Sequence, residues 1–104
     1  MTPHQILTEA RKRIADPKHW TSGVTARDPL GEACSPFGAE AVKWCAVGAI
    51  QRAAVAKDTN YYTAFGRLAD ACESLHGTRM VSNVNDSNDV PEGGHEAILR
   101  AFDL

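Results

Sequence analysis

The sequence predicts a mostly α-helical fold: a single-domain bundle of about four helices around a buried central helix, with a small two-stranded β element at its side. Three observations predict this fold. Apolar residues recur at helical spacing in four segments. Helix-capping residues flank several of these segments. The chain has 104 residues, 43% of them hydrophobic, which suits one compact core, so we treat residues 1–104 as a single globular domain.

The first helix is predicted to begin at the N-terminus. Thr2 is a good capping residue, Pro3 suits the first helical position, and Gln5 completes a capping box. Apolar residues then follow at helical spacing: Ile6, Leu7, Ala10 and Ile14. The helix should stop near Asp16, because Pro17 disfavours helical geometry in the residue before it.

The second helix is predicted to span residues 38–56. Its stretch 42–53 is predicted to lie at the centre of the fold. One stripe of apolar residues contains Val42, Cys45, Ala46, Ala49, Ile50 and Ala53, and a second contains Trp44, Val47, Gly48 and Val55. A helix that is apolar on most sides is typically buried. Gly48 would allow another helix to approach closely. Cys45 falls within the first stripe, where a free cysteine behaves as a small hydrophobic residue.

The third helix is predicted to run from a cap at Asp58 or Thr59 to His76, with Gly77 as the residue that ends it. Its predicted buried face contains Tyr61, Phe65, Leu68, Ala69, Cys72 and Leu75. A last helix, residues 95–102, should turn Ile98, Leu99 and Phe102 inward.

The β element is predicted from two short segments. Residues 17–38 form a long connection rich in Gly, Pro, Ser, Thr and Asp, with a short strand or turn at 20–27. Residues 80–84 are short and partly β-branched, which favours a strand that pairs with it. The large side chain of Trp20 is predicted to pack against the core.

Charge and hydropathy exclude several classes of protein. The net charge is −2 and the pI is about 6.0, so we expect no nucleic-acid partner. A nucleic-acid accessory role ranks third and rests only on a basic stretch, Arg11, Lys12, Arg13 and Lys18, which is more typical of a solvated helix face. No apolar run approaches the roughly 20 residues of a membrane span, and no secretory signal is recognisable. We therefore expect a cytoplasmic location and no membrane association.

Four residues contain the ingredients of a thiol hydrolase. Cys45 would be the nucleophile, His95 its base, and Asn85 or Asp86 the group that orients the imidazole. Activated cysteines usually lie at helix N-termini or in electropositive, partly exposed sites. A cysteine deep within an apolar helix does not fit that description, so packing is the favoured role of Cys45. We expect Asn85 and Asp86 to organise the entry into the last helix.

A metal site has weaker support. Cys72 and His76 are four residues apart on one helical face, which suits two ligands. The three cysteines, Cys34, Cys45 and Cys72, include no Cys-x-x-Cys pair, and two ligands do not make a site. We expect no disulfide framework, no metal and no cofactor.

Several motifs together resemble a family of short bacteriophage and actinobacterial proteins without an established activity. They are "WCAVGAI" at 44–50, "VNDS" at 84–87 and "GHEAILRAF" at 94–102. In that family a Trp-Gly segment and an "ARD..G" stretch come before the "WCA.GA." helix. The matching positions are Trp20, Gly23, residues 26–31, Asn85, Asp86 and His95. The chain departs from the family at Gly94, where a threonine is common, and so lacks a helix-capping hydroxyl there.

The sequence thus favours a small non-enzymatic accessory or interaction protein with a protein partner. The resemblance implies a phage origin. The alternative is a cysteine hydrolase or transferase that uses Cys45 and His95.

Overall fold

The computed structural model describes residues 2–54, 59–87 and 93–104, which form five α-helices and two short strands. The helices are α1 (Pro3–Ile14), α2 (Ala46–Ala54), α3 (Asn60–His76), α4 (Val81–Asn85) and α5 (Gly93–Asp103). The strands are β1 (Ala26–Arg27) and β2 (Lys43–Trp44), and a 3-10 turn, Pro17–His19, follows α1. The prediction of a mostly helical fold with a small β element is confirmed.

The N-terminal helix carries the predicted capping box. Thr2 Oγ1 accepts a hydrogen bond from the Gln5 N–H at 3.1 Å, and Gln5 Oε1 accepts one from the Thr2 N–H at 2.8 Å. These bonds satisfy backbone donors that have no partner within the first helical turn. The helix ends at Ile14, and Asp16 then caps the 3-10 turn that begins at Pro17.

The second helix starts later than the sequence predicts. The prediction of a helix from residue 38 is wrong, because α2 begins only at Ala46. The residues before it, Lys43–Trp44, form β2, and the N–H of Val42 donates to Arg27 O at 2.9 Å. Backbone groups bonded to a neighbouring strand cannot also bond within a helix. The predicted end at residue 56 lies outside the described residues.

The β element pairs different segments from those predicted. β1 and β2 are antiparallel, with Ala26 opposite Trp44. This pairing ties the long connection after α1 to the segment that leads into α2. The predicted pairing of residues 20–27 with residues 80–84 is therefore wrong.

The predicted strand at residues 80–84 is instead the short helix α4. Val81 and Val84 are buried three residues apart, which is the spacing of one helical face, and Met80 is exposed. A short apolar run fits both a strand and a helix, so the packing of the neighbouring elements decides between them.

The third helix ends as predicted. Gly77 has φ 77°, a left-handed conformation that glycine adopts without a steric penalty, and its N–H donates to Glu73 O. At the other end, Thr59 makes no side-chain capping bond, and the alternative cap Asp58 lies outside the described residues. The prediction that Leu75 is buried is wrong, since it is 44% exposed. His76 turns towards α5 in the last turn.

The core lies between α1, α2, α3 and α5, and α2 contacts α1, α3 and α4. The largest fully buried apolar side chains are Ile6, Ile14, Ile50, Leu68, Ile98, Val81 and Cys72. Phe102, predicted to face inward, is half-buried against this cluster. Among the helices described, none combines the length and apolar character needed to cross a bilayer.

Candidate functional site

Cys45 lies at the junction between β2 and α2. Its carbonyl accepts the first α2 hydrogen bond, from the Ala49 N–H at 2.8 Å, and its Sγ accepts from the Gly48 N–H at 3.4 Å. The prediction that Cys45 lies several residues into a helix is therefore wrong: it occupies the cap position at the N-terminus of α2. This is the location that the sequence argument associated with activated cysteines.

The surroundings of the thiol work against activation. Cys45 is 6% exposed, and its burial raises the pKa of the thiol above the ordinary value. The hydrogen bond from Gly48 favours the thiolate and opposes this shift, whereas the negative charge of Asp86 adds to it. Burial is the larger effect, so the thiol is protonated at neutral pH.

Asn85 is the polar centre of the candidate site. It is 0% exposed, and its Oδ1 accepts hydrogen bonds from Trp20 Nε1 at 2.9 Å and from the Ala46 N–H at 3.0 Å. Its Nδ2 donates to Thr21 O at 3.1 Å and to Asp86 Oδ1 at 2.8 Å. A carboxamide has two donors and two acceptor lone pairs, so this one is fully satisfied.

Asp86 extends the same network to the loop that follows the 3-10 turn. Its Oδ1 accepts from the Gly23 N–H at 3.1 Å as well as from Asn85. The Asn85 and Asp86 side chains thus hold this loop and the start of α2. Among the described residues, the hydrogen-bond partners of the two side chains lie in those segments. Residues 88–92, which lead into α5 and which the two side chains are expected to organise, lie outside the described residues.

The backbone of Asn85, in contrast, does lie against the start of α5. A Cβ atom placed on Gly94 would lie 2.0 Å from Asn85 O, so only glycine fits at this position. Any side chain at this position would collide with the backbone of α4, so Gly94 allows the close approach of the two backbones.

His95 completes the group of candidate catalytic residues. Its Nε2 lies 2.7 Å from Ile14 O, and its ring packs against Trp20 with a centroid separation of 5.3 Å and a tilt of 50°. Trp20 is half-buried against the core, as predicted, and links His95 to Asn85. The structure therefore gathers Cys45, Asn85, Asp86 and His95 around one junction.

The hydrogen bonds at this junction are structural. Cys45 Sγ bonds to the N–H of its own helix, and the His95 ring bonds to the end of α1. Sequence reasoning missed Thr21, whose carbonyl accepts from Asn85, and named Gly23 only as a position of the family resemblance. It also missed the role of the Trp20 indole as a donor. A tryptophan in a polar loop is the one signal that could have suggested it.

The second pair of candidate residues does not assemble a metal site. Cys72 is 0% exposed within the core, and its burial raises the pKa of the thiol to about 11. His76 Nε2 lies 3.3 Å from Ala97 O and so links α3 to α5. Within the described ranges, no three His, Cys, Asp or Glu side chains are close enough to share a metal ion.

A groove of about 930 Å³ lies between α1, α3 and α5, on a different part of the surface. Its apolar lining includes Leu7, Leu68, Ala71, Ala101 and Phe102. Its charged lining includes Arg11, Lys12, Arg67, Asp70 and Asp103. A concave surface with an apolar base and a charged edge is typical of binding sites.

The fold and the Asn85 junction define a small helical protein whose buried polar groups hold its segments together. The chain belongs to the family of unknown function DUF6197, whose model matches residues 1–104. No curated protein and no solved structure shows significant similarity to it.

Proposed function

We propose that this protein is a small cytoplasmic accessory protein that binds another protein and does not act as an enzyme. The phage origin implied by the sequence resemblance is part of this proposal. The observation that carries it is the state of the candidate catalytic groups. The Asn85 carboxamide is saturated, and the Cys45 thiol and the His95 ring each bond to backbone groups that hold the fold.

The groove between α1, α3 and α5 is the surface that we assign to the partner. Leu68 and Ala71 are buried at its base, and Leu7 and Phe102 are half-buried beside them. This apolar strip runs between three helices. Grooves of this kind accept the apolar face of another helix.

The charges at the edge of the groove favour an acidic partner. Asp103 is held by both Nε and Nη2 of Arg11, at 2.6 and 3.0 Å, and Asp70 pairs with Arg79. In the described part of the chain, no carboxylate pairs with Lys12 or Arg67. The acids of the groove are thus neutralised within the protein while two cations remain available. We therefore assign the groove to an amphipathic helix with Asp or Glu beside its apolar face.

A direct test uses a synthetic helical peptide with leucines on one face and glutamates beside them. Fluorescence anisotropy should show saturable binding of this peptide and none of a scrambled peptide of equal composition. The double variant Lys12→Glu/Arg67→Glu should lose the binding and recover it with a peptide carrying lysines instead of glutamates. Lys18→Glu, an exposed charge reversal outside the groove, serves as the control. Equal binding of the scrambled peptide, or no binding at all, contradicts the proposal.

A cysteine hydrolase or transferase is the second candidate, and one observation favours it. Cys45 caps the N-terminus of α2, where the helix dipole and free N–H groups favour a thiolate. Catalysis would require the thiol to become exposed and His95 to leave Ile14 O. Thiol labelling of the native protein, described in the Discussion, separates the two candidates.

The structure weakens the sequence argument for a nucleic-acid role, which rested on the basic stretch at residues 11–18. Arg11 is paired with Asp103, and the guanidinium of Arg13 lies over the Trp44 ring. Two of its four cations are therefore held within the fold and do not form part of an open basic surface.

A further inference from the structure

A second pocket lies on the other side of α1, between that helix and β2. It has a volume of about 490 Å³ and is lined by Glu9, Lys12, Arg13, His19, Val42 and Trp44. Trp44 and Val42 belong to the segment that enters α2, the charged residues come from α1, and His19 comes from the 3-10 turn. The pocket is thus mainly cationic on one wall and apolar on the other.

Among the described residues, Arg13 has no counter-charge in this pocket. Its guanidinium carbon lies 4.8 Å from the centre of the Trp44 ring, and its Nε is buried with no hydrogen-bond partner in that part of the chain. The ion pairs found among the described residues involve Arg11 and Arg79, but not Arg13. A charge that is partly withdrawn from water is costly unless an acceptor or an opposite charge compensates it.

The arginine on the same ring provides a contrast. The Arg52 guanidinium lies 5.9 Å from the Trp44 ring centre, and its Nη1 donates to Pro36 O at 2.9 Å and to Gly38 O at 3.1 Å. Stacking on Trp44 therefore does not by itself leave an arginine without acceptors. Of the two, Arg13 lines this pocket, and no described residue accepts a hydrogen bond from its buried Nε.

A neighbouring cation, Lys12, strengthens the positive field of the pocket. Lys12 is exposed and lies next to Arg13 in the chain, and His19 places its Nδ1 3.2 Å from Val42 O. Among the pocket-lining residues described, Glu9 is the only acid, whereas Lys12 and Arg13 are both cationic. The end of a helix favours basic residues through its dipole, which accounts for the presence of cations here. The dipole does not supply Arg13 with an acceptor for its N–H groups.

We infer that this pocket binds the oxyanion of a small-molecule ligand, a carboxylate or phosphate group that pairs with the terminal nitrogens of Arg13. Arginine presents a planar array of donors that suits both groups, and charge-assisted hydrogen bonds of this kind are the strong ones. The bound anion would compensate the desolvation of the guanidinium. The apolar wall formed by Val42 would contact the remainder of the ligand. Lys12 lines both this pocket and the proposed protein-binding groove, whereas Arg13 lines only this pocket.

Inorganic phosphate and acetate are the probes, each titrated against chloride at equal ionic strength. The readouts are the NMR signals of the Arg13 Nε–H and of the Trp44 indole N–H. We expect a saturable shift of both signals with at least one probe, and the probe that saturates identifies the group. The Arg13→Gln variant should lose the response. Arg13→Lys keeps a cation at the position but loses the planar donor array, so it should bind about tenfold more weakly.

Two further variants serve as controls. Arg67→Gln changes the charge equally outside this pocket and should leave the titration unchanged. Glu9→Gln should tighten binding about twofold, because a repulsive charge at the edge of the site is removed. Shifts that stay linear with both probes, or that persist in Arg13→Gln, would overturn the inference. Dispersed amide spectra of each variant confirm that it is folded before the titration is read.

Discussion

The indole of Trp20 donates a 2.9 Å hydrogen bond to Oδ1 of Asn85, and the same oxygen accepts from the N–H of Ala46. One carboxamide thereby joins the loop after α1, the end of α4 and the first residue of α2. These three segments are distant in the sequence, and the junction is buried. Removing one member of such a network leaves the others without partners, which costs more than the lost bond itself.

Asn85→Asp should destabilise the protein by on the order of 3 kcal/mol at pH 7. The new carboxylate would be buried, would face Thr21 O and Asp86 without donor hydrogens, and would repel both. Asn83→Asp makes the same change at an exposed position of α4 and should cost far less. Urea denaturation midpoints measure both effects.

The destabilisation caused by Asn85→Asp should depend on pH, and its direction can be predicted. Burial and the nearby Asp86 would raise the folded-state pKa of the introduced carboxyl above its unfolded value. The loss in free energy of unfolding caused by this carboxyl should therefore be largest at neutral pH and should shrink as the pH falls towards about 4. A stability gap to the unmodified protein that stays constant from pH 7 to pH 4 would contradict a buried network at residue 85.

Gly48→Ala should cost about 1–3 kcal/mol. The sequence correctly predicted a close approach at Gly48 but assigned it to another helix, whereas the neighbour is the backbone carbonyl of Thr25, just before β1. A Cβ placed on Gly48 would lie 2.0 Å from that oxygen. The matched control is Gly66→Ala in α3, where a Cβ meets no atom within 4 Å.

The control should change stability in the opposite direction. Alanine is favoured over glycine inside a helix by roughly 0.5–1 kcal/mol, so Gly66→Ala should stabilise the protein. Thermal or urea unfolding of the two variants therefore gives shifts of opposite sign. Two shifts of the same sign would contradict a close contact between Gly48 and the Thr25 carbonyl.

Cys45 should label slowly in the native protein, because its thiol is buried and its pKa is raised. The background variant is Cys34→Ser/Cys72→Ala, so that one thiol remains. Labelling should increase with pH from 5 to 9 and rise sharply only on unfolding. Cys45→Ala should cost roughly 1–2 kcal/mol through lost packing.

The opposite labelling result would establish the second candidate function. Rapid reaction of Cys45 at pH 6 that disappears in His95→Asn would indicate a thiolate paired with an imidazolium. The groups gathered around Asn85 would then be an active site, and the proposal of a non-enzymatic protein would be wrong.

Cys72 should make the protein lose stability at alkaline pH. Burial raises the pKa of its thiol from 9.0 to about 11, so the unfolded chain releases this proton first as the pH rises. The stabilisation present below pH 9 should therefore fall by about 2–3 kcal/mol between pH 9 and 11. Cys72→Ala should cost about 1–2 kcal/mol at pH 7 through lost packing.

Comparing the unmodified protein with Cys72→Ala across this pH range separates the effect of the Cys72 thiol on stability from the effects of other ionising groups. The stability advantage of the unmodified protein over Cys72→Ala should shrink above pH 9 and reverse in sign as the pH approaches 11. Denaturant midpoints that keep a constant separation up to pH 10.5 would show that the thiol is not desolvated.

The sequence by itself determined the elements whose signals are local. The capping box of Thr2 and Gln5 fixes the start of α1, and Gly77 ends α3 through its left-handed conformation. Both signals act over a few residues through bonds that form wherever the helix forms. The apolar repeat of α5 likewise identified the burial of Ile98 without knowledge of its partners.

Only the tertiary structure decided the features that depend on a distant segment. The start of α2 was misplaced because the pairing of β2 with β1, and not helix propensity, sets it. Residues 80–84 fit a strand and a helix equally well until Val81 and Val84 are packed against the core. The saturation of Asn85 requires donors and acceptors from three separate segments. Hydrogen bonds and close contacts between remote residues leave no periodic trace in the chain, because each partner satisfies a geometry that exists only after folding.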